Sequence, residues 1–273
     1  MAPPAANAIE EVLRPLTDAP ERAALFLDID GVLAPIVERA EDAHVPERSS
    51  RLIARIARRY RCVGCVSGRA AADARRLVGV AGIAYAGSHG VELLDPNASE
   101  PRMAPAVAEA AGGVRSFAER RTRDRELPLL RVRVEDKGAI FAFHWRGAPD
   151  EDAAHRYVLG LAADAEDAGL HTHWGRKVLE LRPPVPIDKG QAVLALARRC
   201  EAGAALFAGD DTTDLDGFAA LDTLVAEGSL TASVRVGVRS EEGPREIVER
   251  ADLVVDGVEG FAAVLAVLAG EER

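Results

Sequence analysis

Apolar and polar positions along the chain follow two different rhythms. Residues 23–27 (AALFL) form an unbroken apolar run that ends in DIDG, and residues 62–66 (CVGCV) form a second that ends in Ser-Gly-Arg. Residues 83–86 give a third run before GSHG, and residues 204–208 a fourth before GDD. Between them, residues 49–60 place Leu52, Ile53 and Ile56 at helical spacing, and 73–78 and 189–200 also predict helices. Further strands are predicted at 234–238 and 253–255, with a closing helix at 261–268. Short, fully apolar strands alternating with helices predict a parallel sheet covered by helices on both faces.

The middle of the chain changes rhythm. Residues 105–125 read as one charged helix, and 129–134 (LLRVRV) and 139–145 (AIFAFHW) alternate with period two across a polar EDKG turn. That alternation predicts a hairpin with one buried and one wet face. A helix over 150–168 and a second hairpin over 171–181, turning at Gly175, complete the segment. The expected fold class is α/β, a Rossmann-like parallel sheet core with helices on both faces, plus an inserted α+β cap domain. The core is expected over residues 1–99 and 184–273, and the cap over 100–183.

Charge and composition narrow the function. The 273 residues carry 34 Lys+Arg against 44 Asp+Glu, a net charge of −10, which argues against nucleic-acid or anionic-membrane binding. The strongly apolar stretch 261–269 is too short to span a bilayer, and the N-terminus lacks a basic flank followed by an apolar run. Three cysteines are an odd number and too few to staple such a chain, so the expected compartment is the cytoplasm. Cys62 and Cys65 fit a redox spacing but lie in an apolar strand, where small core residues explain them better. Of the basic residues only Lys137, Lys177 and Lys189 are lysines. In a chain that otherwise writes arginine, a lysine marks a place where a compact point charge is wanted.

Ligands of open parallel sheets bind outside the carboxyl ends of the strands. Polar groups collect at that edge: Asp28 and Asp30, Ser67 and Arg69, Ser88 and His89, then Asp210, Asp211 and Asp214, with Lys189 opening the preceding helix. Any one of these taken alone is a helix cap or a turn residue. Together, four or five carboxylates in one cleft would repel by about 4 kcal/mol per pair at 4 Å, so protons or a cation must lie among them. An all-oxygen donor set suits Mg²⁺, and no Cys/His set calls for zinc.

These residues are recognisable. L-F-L-D-I-D-G-V-L, S-G-R, D-K-G and G-D-D-x-T-D resemble the four motifs of the haloacid dehalogenase superfamily of aspartate-nucleophile phosphatases. Within it, Y-A-G-S-H-G-V-E at 85–92, V-E-D-K…H-W-R at 134–146 and G-R-K-V-L-E-L-R-P at 175–183 resemble the trehalose-6-phosphate phosphatases. Val32 stands where Thr is commoner, and Leu215 where this branch usually has Glu.

The resemblance implies hydrolysis of trehalose 6-phosphate to trehalose and phosphate. Asp28 would be the nucleophile and Asp30 the general acid and base. Ser67 and Lys189 would grip the phosphoryl oxygens. Mg²⁺ would be held by Asp28, the carbonyl of Asp30 and Asp210, with Asp211 and Asp214 supporting. Arg69, His89, Glu92, Lys137, His144, Arg146, Lys177 and Glu180 would bind substrate. A monomer, functionally coupled to a trehalose-6-phosphate synthase, is expected. The alternatives are a phosphatase of another glycosyl phosphate (glucosylglycerate, glucosylglycerol or sucrose phosphate), a phosphomutase, and a non-enzymatic sugar-phosphate-binding domain. His171 and His173 have a spacing that could bind a metal, but no third ligand lies nearby in sequence and the pair reads as a hairpin face.

Overall fold

The computed structural model describes residues 6–37, 42–136, 138–175, 177–240 and 243–271. The chain divides into two compact units, one comprising Met1–Arg102 with Ile187–Arg273, the other Met103–Pro186. In chain order the first unit runs α1 (Ala6–Thr17), β1 (Ala23–Leu27), α2 (Glu47–Ile56), β2 (Cys62–Val66), α3 (Ala71–Val78), β3 (Ala84–Gly87), β4 (Glu92–Leu94) and β5 (Arg102–Met103). The second contains α4 (Pro105–Arg121), α5 (Glu126–Leu129), β6 (Arg133–Asp136), β7 (Phe141–His144), α6 (Glu151–Asp167), β8 (His171–Gly175) and β9 (Val178–Arg182). The first then resumes with α7 (Lys189–Cys200), β10 (Ala204–Gly209), α8 (Leu215–Ala226), β11 (Ala232–Arg239), α9 (Arg245–Arg250), β12 (Leu253–Asp256) and α10 (Gly257–Leu268).

Among the described residues the first unit holds an eight-stranded sheet in the order β12-β11-β10-β1-β2-β3-β4-β5. The strands from β12 to β3 pair in parallel, and β4 returns antiparallel to β3. Because β1 is buried on both faces, all five of its side chains are apolar rather than alternating. Leu25 and Leu27 share one buried apolar cluster with Leu13 and Leu16 of α1, Ile53 and Ile56 of α2, and Phe261 and Leu265 of α10. On the other face Phe207 of β10 stands edge-on to Phe218 of α8 at 6.1 Å. Each fully buried Leu or Phe of this kind contributes about 1.5–3 kcal/mol. Leu27 lies opposite Ala208 on one side and Cys65 on the other, so β1, β10 and β2 end level. The residues that follow them, Asp28, Asp210 and Ser67, therefore reach one edge of the sheet.

The second unit is a four-stranded antiparallel sheet, β6-β7-β9-β8, among the described residues. Phe141, Phe143, Leu179 and Leu181 project toward Val114 and Phe117 of α4 and Val158 and Leu161 of α6. Successive side chains alternate faces, which puts Glu135, His144, Glu180 and Arg182 on the opposite, polar side.

Three features depart from the reading of the sequence. Leu129 ends the short helix α5 and is 79% exposed, so the strand of the first hairpin is Arg133–Asp136 and not 129–134. No helix is predicted before residue 23, yet α1 forms over Ala6–Thr17 and buries Ile9, Leu13 and Leu16. Cys62 is disulfide-bonded to Cys200 at a Cα–Cα separation of 6.1 Å, joining the start of β2 to the end of α7. Cys65 is the buried free thiol expected of a core residue. No helix among the described residues is long and apolar enough to cross a membrane.

Candidate active site

The level ends of β1, β2, β3 and β10 open onto a cleft of about 390 Å³ lined by Asp28, Asp30, Ser67, His89, Lys189, Asp210 and Asp211. Its floor is an ion cluster. Lys189 Nζ donates to Asp28 Oδ1 at 2.9 Å and to Asp214 Oδ1 at 2.7 Å, and all three side chains are at most 5% exposed. Lys189 opens α7, where the helix dipole disfavours a cation, while the neighbouring Asp188 caps that helix by accepting from the Gln191 N–H. The two carboxylates outweigh both the dipole and the burial, and hold the ammonium well above its ordinary range.

Aspartates 210, 211 and 214 divide their tasks by spacing. One turn after Asp210, Asp214 Oδ2 accepts the backbone N–H of Asp210 (3.0 Å) and of Asp211 (3.1 Å). Both oxygens of Asp214 are thus committed, one to Lys189 and one to the backbone. Asp211 caps the following turn through the Thr212 N–H and lines the cleft. Asp210 is different: it is 3% exposed and its Oδ1 has no hydrogen-bond partner. Burial, then the nearby Asp214, raise its carboxyl to about 7. Burial likewise pushes Asp28 well up, against the pull of Lys189.

An orphaned buried carboxylate oxygen is costly unless something takes it. Asp28, Asp210 and Asp214 each bring one carboxylate oxygen to within 4.8 Å of the other two, that of Asp214 being already hydrogen-bonded. Hard oxygen donors converging so closely fit a divalent cation of the Mg²⁺ class. The approach depends on Gly31, at φ +87°, where a β-carbon would sit 2.0 Å from Asp210 Oδ2. Only glycine lets the turn after β1 run this close to that carboxylate.

Asp30 and Arg69 face each other across the mouth. Arg69 Nε donates to Asp30 Oδ2 and Nη2 to Oδ1, both at 2.7 Å, a two-pronged charge-assisted pair. The Ser67 side chain is buried, and its Oγ accepts the Arg69 N–H at 3.2 Å. At the end of β3, Ser88 and His89 are both left-handed, at φ 51° and 57°. Two consecutive non-glycine residues in that region are strained, and strain of this kind gathers at functional sites. It is sustained here by N–H bonds from Ser88 to the Arg69 carbonyl (2.8 Å) and from His89 to the Ser67 carbonyl (3.0 Å), which bring the His89 ring against Gly68.

The other expected substrate residues lie elsewhere. Glu92 is not in the cleft lining; its carboxylate accepts the Ala71 N–H and caps α3. In the second unit, Lys177 pairs with Glu151, His144 with Glu135 at 2.8 Å, and Glu180 with Arg182 at 2.7 Å. Arg146 lies near enough to Glu151 to lower its carboxyl, after the larger effects of Lys177 and the Gly147 N–H. Lys137 lies outside the described residues. The cleft also includes Ile36, Thr213, Ser240, Gly243 and Pro244, which the sequence reading passed over. Thr213 was signalled by its place inside the G-D-D-T-T-D run, and Ser240 by following a predicted strand.

Comparison with known proteins agrees with this geometry. The family model described as trehalose-phosphatase matches residues 26–249. The chain belongs to the trehalose-phosphatase family. It is 37% identical over 210 residues to a trehalose-phosphate phosphatase of Mycolicibacterium paratuberculosis, covering 72% of this chain and 51% of that one. It is 36% identical over 227 residues to an uncharacterized glycosyl hydrolase of Mycobacterium tuberculosis, covering 80% of this chain and 17% of that one. The chain thus spans between a sixth and about half the length of these curated relatives. Its fold matches the trehalose-6-phosphate phosphatase of Aspergillus fumigatus with a TM-score of 0.68 at 20% identity, over 100% of both chains.

Proposed function

We propose that this member of the trehalose-phosphatase family hydrolyses trehalose 6-phosphate to trehalose and inorganic phosphate through an aspartyl-phosphate on Asp28. The observation that carries the reading is the buried Asp28 carboxylate, bonded through one oxygen to Lys189 in a cleft that also holds the unpartnered Asp210 oxygen. Two carboxylates whose surroundings differ this sharply, Asp28 buried and Asp30 near the surface, suit two different tasks.

Asp28 attacks phosphorus, and the P–O bond to the sugar breaks. Lys189 offsets part of the charge that gathers on the phosphoryl oxygens, and the Ser67 hydroxyl orients one of them. Asp30 gives its proton to the departing sugar oxygen and then takes one from the water that attacks the aspartyl-phosphate, which frees Asp28 and phosphate. Asp28, the carbonyl of Asp30 and Asp210 would hold Mg²⁺, which supplies further neutralisation of phosphoryl charge. Asp214 keeps Asp210 and Lys189 in place through its backbone and ammonium bonds. Charged side chains of the second unit, Lys177, His144, Arg146 and Glu180, carry the sugar end in this reading, because charged hydrogen bonds read hydroxyls with direction. A trehalose-6-phosphate synthase would supply the substrate.

A phosphate-release panel tests the proposal. Trehalose 6-phosphate should be turned over with the highest kcat/KM, in a Mg²⁺-dependent manner, and Asp28→Asn should abolish the activity. Equal turnover of unrelated sugar phosphates would overturn the substrate assignment. Preference for glucosylglycerate, glucosylglycerol or sucrose phosphate would replace it, and phosphate exchange between sugar positions without net release would make the protein a mutase.

A further inference from the structure

The two-pronged contact between Arg69 and Asp30 is more than the substrate grip that the sequence pattern implies for this arginine. Its backbone is fixed on both sides: the N–H donates to Ser67 Oγ at 3.2 Å, and the carbonyl accepts from Ser88 at 2.8 Å. Asp30 is fixed as well, because the turn that follows it closes through the Gly31 N–H on the Ala34 carbonyl at 2.7 Å. With both main chains held, a planar fork reaching both carboxylate oxygens at 2.7 Å sets the rotamer of Asp30. The side chains of the pair are 19% and 39% exposed, so an arriving oxygen can compete for the carboxylate.

We propose that Arg69 is the positioning residue for Asp30, holding the carboxylate in one orientation during the interval between its two proton transfers. This rests on the reading of Asp30 as acid and base. In the first half-reaction Asp30 loses its proton to the sugar oxygen as the ester P–O bond breaks. In the second, the carboxylate recovers a proton from water as the bond from water to phosphorus forms and the Asp28–phosphorus bond breaks. Between the two, Asp30 is an anion with no covalent tether, and a fork that bonds both of its oxygens favours that anion and aims it. A lone cation would supply the charge without the aim.

The experiment is a double-mutant cycle on trehalose 6-phosphate. Arg69→Ala should lower kcat tenfold or more, with KM changed less than twofold. In an Asp30→Asn background the same substitution should cost less than twofold. Arg69→Lys, which keeps charge but loses the fork, should show most of the Arg69→Ala loss, and it carries the cycle if the alanine variant does not fold. Equal losses in both backgrounds would overturn the proposal, since Arg69 would then act independently of Asp30. A raised KM with kcat intact would also overturn it, leaving Arg69 a substrate grip. Phosphate release by the unmodified protein, and its loss in Asp28→Asn, reports on the function reading separately. If trehalose 6-phosphate is not turned over, that reading fails, and the cycle is scored on p-nitrophenyl phosphate.

Discussion

The ion cluster at the sheet edge of the first unit and the ion pairs of the second live under different rules. In the first unit Lys189, Asp28 and Asp214 are almost sealed from water and bonded to one another. In the second, Lys177 with Glu151 and Arg115 with Asp136 are between a third and a half exposed. A buried cluster must be complete to be tolerated, because removing one member leaves an uncompensated charge that costs about 3–5 kcal/mol. An exposed pair contributes about 0–1 kcal/mol, and water can replace either partner. The first arrangement suits groups that must be held ready in advance, and the second suits contacts that water can exchange.

The sharpest way to break this contrast is at Asp28. Asp28→Asn should lower kcat by at least about 10⁴, since an amide is not a nucleophile. Activity above a tenth of normal in a phosphate-release assay would remove Asp28 from that role. Next comes Lys189→Met, which should reduce stability to chemical denaturant by about 3–5 kcal/mol by orphaning Asp28 and Asp214. A loss below 1 kcal/mol would mean that the cluster behaves like a surface pair.

The cluster should also respond to pH in a defined direction. Burial raises the Asp210 carboxyl to about 7. The folded state then retains a proton that the unfolded chain releases near pH 4. Cation-free protein should therefore lose melting temperature as pH rises from about 4 to 7, and Mg²⁺ should flatten that slope by occupying the ionised carboxylate. A rise in melting temperature over the same window without cation would contradict it. The smallest effect is expected at Lys177. Lys177→Met should leave stability within about 0.5 kcal/mol while raising KM for trehalose 6-phosphate, measured by steady-state kinetics. A large stability loss with unchanged KM would make it a structural residue.

The elements read best from sequence are those where local pattern and tertiary burial agree. The strand Cys62–Val66 and the helix Lys189–Cys200 fall where the apolar run and the helical spacing put them. The segment around Leu129 misled because two leucines before an alternating stretch look like strand, yet Leu127 is the buried one and Leu129 points out of a short helix. The helix α1 was passed over, although Ile9, Leu13 and Leu16 have the spacing of one helical face.

In the site, the pairing of Asp28 with Asp30 is legible because two residues beyond a strand end keep their carboxylates on one side. The Asp30–Arg69 fork, the capping of α3 by Glu92 and the Cys62–Cys200 bond are not legible. Each depends on where separate elements come to rest, and the cysteines are 138 residues apart.

Asp28 and Lys189 are separated by 161 positions, and β1 is paired with β10 on one side and β2 on the other. During synthesis the aspartate leaves the ribosome long before the lysine that answers its charge. A partly made chain therefore has an edge where the finished sheet has its centre, and an aspartate without its counter-ion. This cluster can be assembled only late, when β10 slots in beside β1.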